Sequence, residues 1–184
     1  PPALAASSVS PAVARAGDDI VIAATANETL VRAPALRTTP SLSFTASGGT
    51  FRHRVVAGEN GGFTSALDLE DLAGNVATVA GPAFAVDTVA PVVTITSAPL
   101  FASRVPGRSV VTVNLSVSED VALDDVSAVI GDVDFDVCSG AARSFSCSYA
   151  VRAGDVDGDR GVSIVVRDGG GNSGFAAANV IATP

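Results

Sequence analysis

Three alternating aspartates are the first candidates for chemistry in this chain. Asp155, Asp157 and Asp159 are separated by single residues, and carboxylate oxygens at such spacing bind Ca²⁺ in the first half of known calcium loops. Arg160 stands where such a loop requires glycine, and Val166 stands where its closing glutamate would be. The sequence therefore predicts a turn rich in turn-forming residues, with calcium binding by the three aspartates as the alternative.

The two cysteines are the second candidate. Cys138 and Cys147 flank a short segment that contains a glycine, and this spacing suits two adjacent strands of a hairpin. No histidine lies nearby to complete a metal site. We predict a disulfide, which indicates an oxidising compartment; the alternative is a pair of buried free thiols.

Residues for catalysis are scarce. His53 is the only histidine, so a Ser-His-Asp site would have to use it, and the chain has no Gly-x-Ser-x-Gly sequence. Carboxylates are plentiful enough for a glycosidase pair, but one Tyr and no Trp leave no aromatic platform for a sugar. No glycine-rich phosphate loop follows a strand into a helix. We predict that the chain is not an enzyme.

Composition narrows the possible partners. The formal net charge is −8, with 11 arginines, no lysine and 19 acids. The arginines are scattered and neither half of the chain is basic, so a nucleic-acid footprint is absent. No uncharged stretch is long and apolar enough to predict a membrane span, and no signal peptide is visible.

The elements that must position these residues are strands. Short apolar runs with alternating periodicity occur at residues 20–26, 110–117 and 162–166, and Gly, Pro, Asn and Asp separate them. No apolar stripe of helical period and length is present. The pattern predicts an all-β sandwich whose cores are built from Val, Ala, Leu and Ile.

The chain contains one unit twice. An Asp-x-x-Gly-Asn sequence at residues 71–75 recurs at 168–172, and Gly58 and Gly154 precede the two copies at similar distances. We predict a turn in which Asp accepts backbone N–H groups and Gly adopts a positive φ. The repeat predicts two domains, at residues 1–88 and 89–184, cut from a longer array or forming a whole processed subunit.

These motifs carry a resemblance. The Asp-x-x-Gly-Asn turn, followed by Phe84-Ala-Val-Asp87-Thr-Val-Ala-Pro91, resembles the bacterial Ig-like repeats of large secreted and surface proteins. The resemblance implies two immunoglobulin-like Greek-key β-sandwiches in tandem. It also implies use as stalks or adhesive segments, often stiffened by calcium between domains.

The Ig-like arrangement predicts where acidic loops gather. The first strand of such a sandwich starts at the pole that carries its B–C, D–E and F–G loops. In the second unit we place these loops at Glu119 and Asp120, at residues 139–143, and at residues 168–172. The opposite pole of the first unit carries its E–F loop near Glu59.

The linker residue Asp87 follows the last strand of the first unit. Carboxylates brought together at a junction repel one another unless a cation neutralises them. The alternative is that these acids face solvent and never meet. The predicted calcium ligands at the junction are Asp87, Glu119, Asp120, Asp168 and Glu59.

The function predicted from the sequence is a non-catalytic spacer or stalk segment of a secreted or cell-surface bacterial protein. Its partners would be flanking Ig-like domains or like subunits, and a cell-surface protein or glycan. A module that itself binds protein or glycan is one alternative. Another is a filament subunit in which residues 1–11 add a strand to a neighbour's sheet.

Overall fold

The protein is nearly all β-structure, as predicted. The computed structural model describes residues 1–99, 101–103, 109–152, 155 and 158–183, with the backbone alone at 101–103 and 181–183. Contacts divide the chain into two compact units, Pro1–Val89 and Ala90–Pro184. The division falls one residue beyond the boundary placed from the sequence. In the described residues no helix is long and apolar enough to cross a membrane.

The first unit contains nine strands in two sheets. One sheet has the order β1-β3-β6-β5, and the other has the order β2-β9-β7-β4, with β8 also paired to β7. The parallel pairing of β2 with β9 moves the first segment from one sheet to the other. The strands are β1 (Leu4–Ser10), β2 (Val13–Ala14), β3 (Asp19–Ala26), β4 (Ala35–Thr39), β5 (Thr45–Ser47), β6 (Thr50–Arg54), β7 (Gly61–Glu70), β8 (Val76–Ala80) and β9 (Phe84–Val86).

Alternation along the strands builds the first core. Ile20 and Ile22 of β3 are buried while their neighbours are more exposed, and β6 buries Phe51 on the same side. Phe63 of β7 stacks on Phe84 of β9 at 5.2 Å between ring centroids. Period-two alternation places these side chains on one face of each sheet, and the two faces enclose the core.

In its described residues the second unit repeats this plan with eight strands. Its sheets have the orders β10-β12-β15 and β11-β17-β16-β13-β14, and β11 lies parallel to β17. A short 3₁₀ helix, Leu123–Asp125, links the sheets. The strands are β10 (Val93–Ser97), β11 (Phe101–Ser103), β12 (Val110–Val121), β13 (Val126–Ile130), β14 (Val133–Asp134), β15 (Val137–Ala150), β16 (Gly158–Arg167) and β17 (Ser173–Thr183). Both units are immunoglobulin-like Greek-key sandwiches.

One placement made from the sequence is wrong. Glu119 and Asp120 were expected in a loop, but both lie in the last residues of β12, which continues to Val121. Val117 and Val121 are both buried, so the apolar contacts that hold the strand extend past the acids. The acidic pair therefore stands on a strand end.

A tight chain reversal lies within β15. Cys138 and Cys147 are both assigned to this strand, yet their Cα atoms are 4.0 Å apart. Gly140 and Ala142 adopt positive φ values of 131° and 55°, and a Cβ on Gly140 would lie 2.2 Å from the carbonyl oxygen of Ser144. The reversal therefore depends on glycine at position 140.

Candidate functional site

The first Asp-x-x-Gly-Asn turn is closed by its own aspartate. Asp71 is only 5% exposed, and its Oδ1 accepts the backbone N–H groups of Ala73 and Asn75, each at 2.9 Å. Its Oδ2 accepts the side-chain amide of Asn75 at 2.7 Å, and Gly74 has a φ of 82°. The Asn75 hydrogen bond outweighs desolvation and, with the N–H donors, holds the pKa of Asp71 below its usual value. The predicted structural role of this aspartate is confirmed.

The second turn repeats the first at atomic detail. Asp168 is also 5% exposed and accepts the backbone N–H of Asn172 at 2.8 Å. Its other oxygen accepts the Asn172 side-chain amide at 2.9 Å, and Gly171 has a φ of 83°. The two units are therefore copies of one module down to the hydrogen bonds of a turn.

Glu119 and Asp168 come together in the second unit. One carboxylate oxygen of each lies within 4.8 Å of the other, with Asp168 at the β16–β17 turn and Glu119 near the end of β12. Two carboxylates at this distance repel unless a proton or a cation intervenes. Each carboxylate oxygen has two lone pairs. The Asp168 oxygens that accept hydrogen bonds in the turn can therefore still coordinate a cation.

The chain enters the second unit beside these two acids. The Val92 N–H donates to the hydroxyl of Ser118 at 2.9 Å, one residue before Glu119. A Cβ on Gly174 would lie 1.9 Å from the carbonyl oxygen of Pro91, so the first residues of the unit pass directly against β17. The start of the unit, the end of β12 and the β16–β17 turn thus share one pole, as the sequence predicts.

Asp120 has a different environment from Glu119. Its Oδ1 accepts a hydrogen bond from Nε of Arg143 at 2.8 Å, and both side chains are largely exposed. Arg143 already supplies a positive charge beside this carboxylate. Among the junction candidates, Asp120 is consequently neutralised by a neighbour within its own unit.

Glu59 is engaged inside the first unit. Its Oε2 accepts Nε2 of His53 at 2.9 Å and the backbone N–H of Val56 at 2.9 Å. Partial burial raises the pKa of Glu59, but the hydrogen bonds from His53 and Val56 and the His53 charge outweigh it and lower the pKa. The carboxylate therefore fastens the loop that follows β6.

His53 is oriented for structure in this arrangement. Its Nδ1 lies 2.8 Å from the backbone carbonyl oxygen of Ser43, and its ring packs 5.3 Å from that of Phe44. Both ring nitrogens are therefore occupied by contacts within the first unit. Neither nitrogen is positioned as a base toward a hydroxyl nucleophile.

We call the contact of His53 and the Val56 N–H with Glu59 a loop clamp. The second unit contains its counterpart. The hydroxyl of Tyr149 donates to Asp155 at 2.8 Å, and the Arg152 N–H donates to the same carboxylate at 2.7 Å. In both units the residue that donates the backbone N–H lies three residues after the ring residue, and the acid lies six residues after it. Burial raises the pKa of Asp155, but the N–H of Arg152 and the Tyr149 hydroxyl outweigh it and lower the pKa.

Sequence reasoning missed this clamp although a signal was present. His53 and Glu59 lie 96 residues before Tyr149 and Asp155 respectively, so both pairs obey the offset of the repeat. Of the three aspartates first singled out, Asp155 serves the clamp and Asp159 lies in β16 opposite Ile181. Asp157 lies outside the described residues.

The linker residues of the first unit are tied to the same loop. The Asn60 side-chain oxygen accepts the Thr88 N–H at 2.7 Å, and the Gly58 N–H donates to the Thr88 hydroxyl at 3.1 Å. The Asp87 N–H donates to the carbonyl oxygen of Ala14 at 2.8 Å. The end of the first unit is therefore held by the loop that Glu59 fastens.

A disulfide joins Cys138 and Cys147. Cys147 is completely buried in the second core, and Cys138 is partly buried against it. The bond closes the reversal within β15, at the pole that carries Arg143 and Asp120. No free cysteine remains in the chain.

Known structures share this fold. The fibronectin(III)-like modules of Clostridium thermocellum CbhA match 97% of this chain and 94% of theirs, at 15% identity and a TM-score of 0.49. An I-band fragment of titin matches 99% of this chain, at 10% identity and a TM-score of 0.57. A Ca²⁺-stabilised ice-binding adhesin of an Antarctic bacterium matches 98% of this chain, at 17% identity and a TM-score of 0.46.

The chain spans 65% of the titin fragment and 49% of the adhesin chain. No protein-family model matches the sequence, and the curated proteins contain no match to it. At such identities a structural likeness establishes the fold alone. The chain is thus a pair of immunoglobulin-like β-sandwiches that repeat one module.

Proposed function

We propose that this chain is a non-catalytic tandem spacer of a secreted or cell-surface protein. The observation that carries the proposal is the repeated turn, in which Asp71 and Asp168 accept hydrogen bonds from their own asparagines. Polar groups that could do chemistry are instead used to close turns and loops. A repeated module whose polar groups serve its own architecture suits a protein that sets length and spacing.

The disulfide supports an exported location. Bonds such as Cys138–Cys147 persist in oxidising compartments and are rare in reducing ones. A surface rich in acids and free of lysine is compatible with that setting. We therefore assign the module to the extracellular side of its cell.

Calcium at the junction is the finer part of the proposal. Glu119 and Asp168 provide two carboxylate oxygens within 4.8 Å, and hard oxygen donors are what Ca²⁺ prefers. Asp87 lies four residues before Pro91 in the chain, and the Pro91 carbonyl closely approaches Gly174 within the second unit, so the connecting segment is short. We name Asp87, Glu119 and Asp168 as the ligands that would hold the ion, with water and backbone oxygens completing the set.

Glu59 and Asp120, the other two predicted junction ligands, have partners within their own units. Glu59 binds His53 and Val56, and Asp120 binds Arg143. Recruiting either to a metal would break an interaction already present in its unit. A cation bound by Asp87, Glu119 and Asp168 would connect residues on both sides of the linker and would restrict its movement.

Thermal unfolding of the whole chain with millimolar Ca²⁺ and with EDTA tests this proposal. A ligand that binds only the folded state raises the unfolding midpoint by mass action. We expect an upward shift with Ca²⁺ that Asp87→Ala and Glu119→Gln abolish and that Asp132→Ala, a control at an exposed turn, preserves. Identical unfolding midpoints in Ca²⁺ and EDTA would contradict the calcium site. The spacer function would then be tested by small-angle scattering.

Scattering distinguishes a spacer from other uses of the fold. A spacer requires a maximum dimension close to the sum of two sandwiches placed end to end, unchanged over a range of concentrations. Units folded back on each other would contradict it. Long polymers would favour the filament alternative, although Leu4–Ser10, the centre of the segment proposed to donate a strand, pairs with β3 of its own unit.

A further inference from the structure

Among the side chains that the structure describes in the second unit, one aromatic ring, that of Phe175, is exposed on a sheet face. Phe175 of β17 is 63% exposed, and its cross-strand partner Val165 of β16 is 36% exposed. Ser127 of β13 lies opposite Val165 on the other side. This is the outer face of the β13-β16-β17 sheet, and its next row is formed by Val129, Ser163 and Ala177. We call these six residues the Phe175 face.

The face is free of charge at its centre and charged at one end. Small, hydroxylated and apolar side chains surround Phe175, so nothing there repels a second apolar surface. An open groove of about 400 Å³ beside Val165 is lined by Asp124, Asp125, Ser127 and Arg167. An exposed apolar surface with a polar rim is typical of an interaction site.

The charges at this rim form no ion pairs within the described chain, unlike those of several other arginines. Arg37, Arg143 and Arg152 each pair with an aspartate of their own unit. Within the part of the chain that the structure describes, Arg167 forms no ion pair, and neither do Asp124 and Asp125. Opposite charges thus stand near one another on one surface without neutralising each other.

We propose that the Phe175 face binds the same face of a second copy of this chain. A two-fold interface places one patch against itself, so it needs a patch that is complementary to its own image. The Phe175 face meets this condition, since its apolar centre can pack on itself and Arg167 of each copy can reach Asp124 and Asp125 of the other. A uniformly acidic partner would not satisfy both signs of charge.

The association is weak and closes at two copies. Three strands offer less surface than the roughly 800 Å² per partner of a standard interface, and a net charge of −8 on each chain opposes association. A two-fold contact buries the Phe175 face of both copies, so no such face remains for a third copy. The association therefore forms dimers and no filament. This outcome is distinct from the strand-donation alternative, which yields long polymers.

Sedimentation equilibrium of the whole chain from about 1 μM to about 1 mM tests the proposal. We expect a monomer–dimer equilibrium whose dissociation constant rises at least about ten-fold in Phe175→Ser and in Arg167→Glu. Leu72→Ser is the matched control, because Leu72 is 71% exposed but lies in the first unit; it should leave the constant unchanged. Unfolding midpoints of all variants should agree, which excludes misfolding as the cause.

A charge exchange makes the test specific. Asp124→Arg combined with Asp125→Arg should weaken the dimer, and adding Arg167→Glu to that variant should restore it. A chain that stays monomeric at every concentration overturns the proposal. So does a dimer that is insensitive to Phe175→Ser, or one that responds equally to Leu72→Ser.

Discussion

Nε2 of His53 lies 2.9 Å from the carboxylate of Glu59, and this contact fastens a loop to the end of the first unit. The loop in turn holds Thr88 through Gly58 and Asn60. A single imidazole is thereby connected, through short hydrogen bonds, to the segment that leads out of the unit. The matching contact in the second unit uses the hydroxyl of Tyr149 and the carboxylate of Asp155.

Removing the clamp should loosen each unit separately. His53→Phe keeps a ring against Phe44 but deletes both hydrogen bonds, and a bond to a charged group contributes about 1.5–3 kcal/mol. We expect the first unit to lose about that much stability. Hydrogen exchange at residues 55–60 should also become faster. Tyr149→Phe is the matched change in the second unit and should leave residues 55–60 protected. Loss of protection in both units from either change would contradict the separate clamps.

Acid should weaken the first clamp. The pKa of Glu59 is below its usual value because the His53 and Val56 hydrogen bonds outweigh the effect of burial. A depressed carboxylate pKa stabilises the fold above the unfolded value of 4.5, and this stability is lost as pH falls through the folded pKa. We expect the unfolding midpoint of the wild type to fall more steeply below about pH 4.5 than that of Glu59→Gln. Parallel curves for the two proteins would show that Glu59 does not contribute.

The buried turn aspartates should be sensitive to substitution. Asp71→Ala leaves the N–H groups of Ala73 and Asn75 without their acceptor in a largely buried turn, and unpaired buried donors are costly. We expect a fall of several degrees in the unfolding midpoint, measured in EDTA. Leu72→Ala is the control in the same turn, since that side chain is 71% exposed, and it should change little.

Reduction of the disulfide should affect the second unit. The bond closes a loop with a sequence separation of 9 residues, which in the chain-entropy picture corresponds to about 2–3 kcal/mol. We expect dithiothreitol to lower the unfolding midpoint reported by Tyr149, the only tyrosine in a chain without tryptophan. Cys138→Ala combined with Cys147→Ala should then show no further response to the reductant.

The close approach at Gly174 should forbid any side chain. A Cβ there would lie 1.9 Å from the carbonyl oxygen of Pro91 and 3.0 Å from a methyl group of Val93. We expect Gly174→Ala to displace the first strand of the second unit and to speed hydrogen exchange in Val93–Ser97. Gly169→Ala is the matched control, because nothing lies within 4 Å of its added Cβ. Equal hydrogen exchange in Val93–Ser97 of the two variants would show that the strand can shift to accept the added methyl group without being destabilised.

The strand pattern was largely predictable because it depends on local alternation. The run at residues 20–26 became β3, and the run at 162–166 lies inside β16. The end of β12 was mispredicted because acids at Glu119 and Asp120 suggested a loop, whereas the buried Val121 keeps the strand in place. The partners of the acidic side chains could not be predicted from the sequence: Arg143 binds Asp120 and His53 binds Glu59 across 23 and 6 residues of the chain.

The sequence by itself determined the module and its repetition. Side-chain alternation, a turn motif that needs Asp, Gly and Asn at fixed positions, and a constant offset are all properties of the linear chain. Tertiary structure alone decided which acids meet and which are used elsewhere, and which apolar side chains remain outside the cores. Such contacts join residues far apart in the chain, and their partners depend on strand register and packing that no short stretch of sequence encodes.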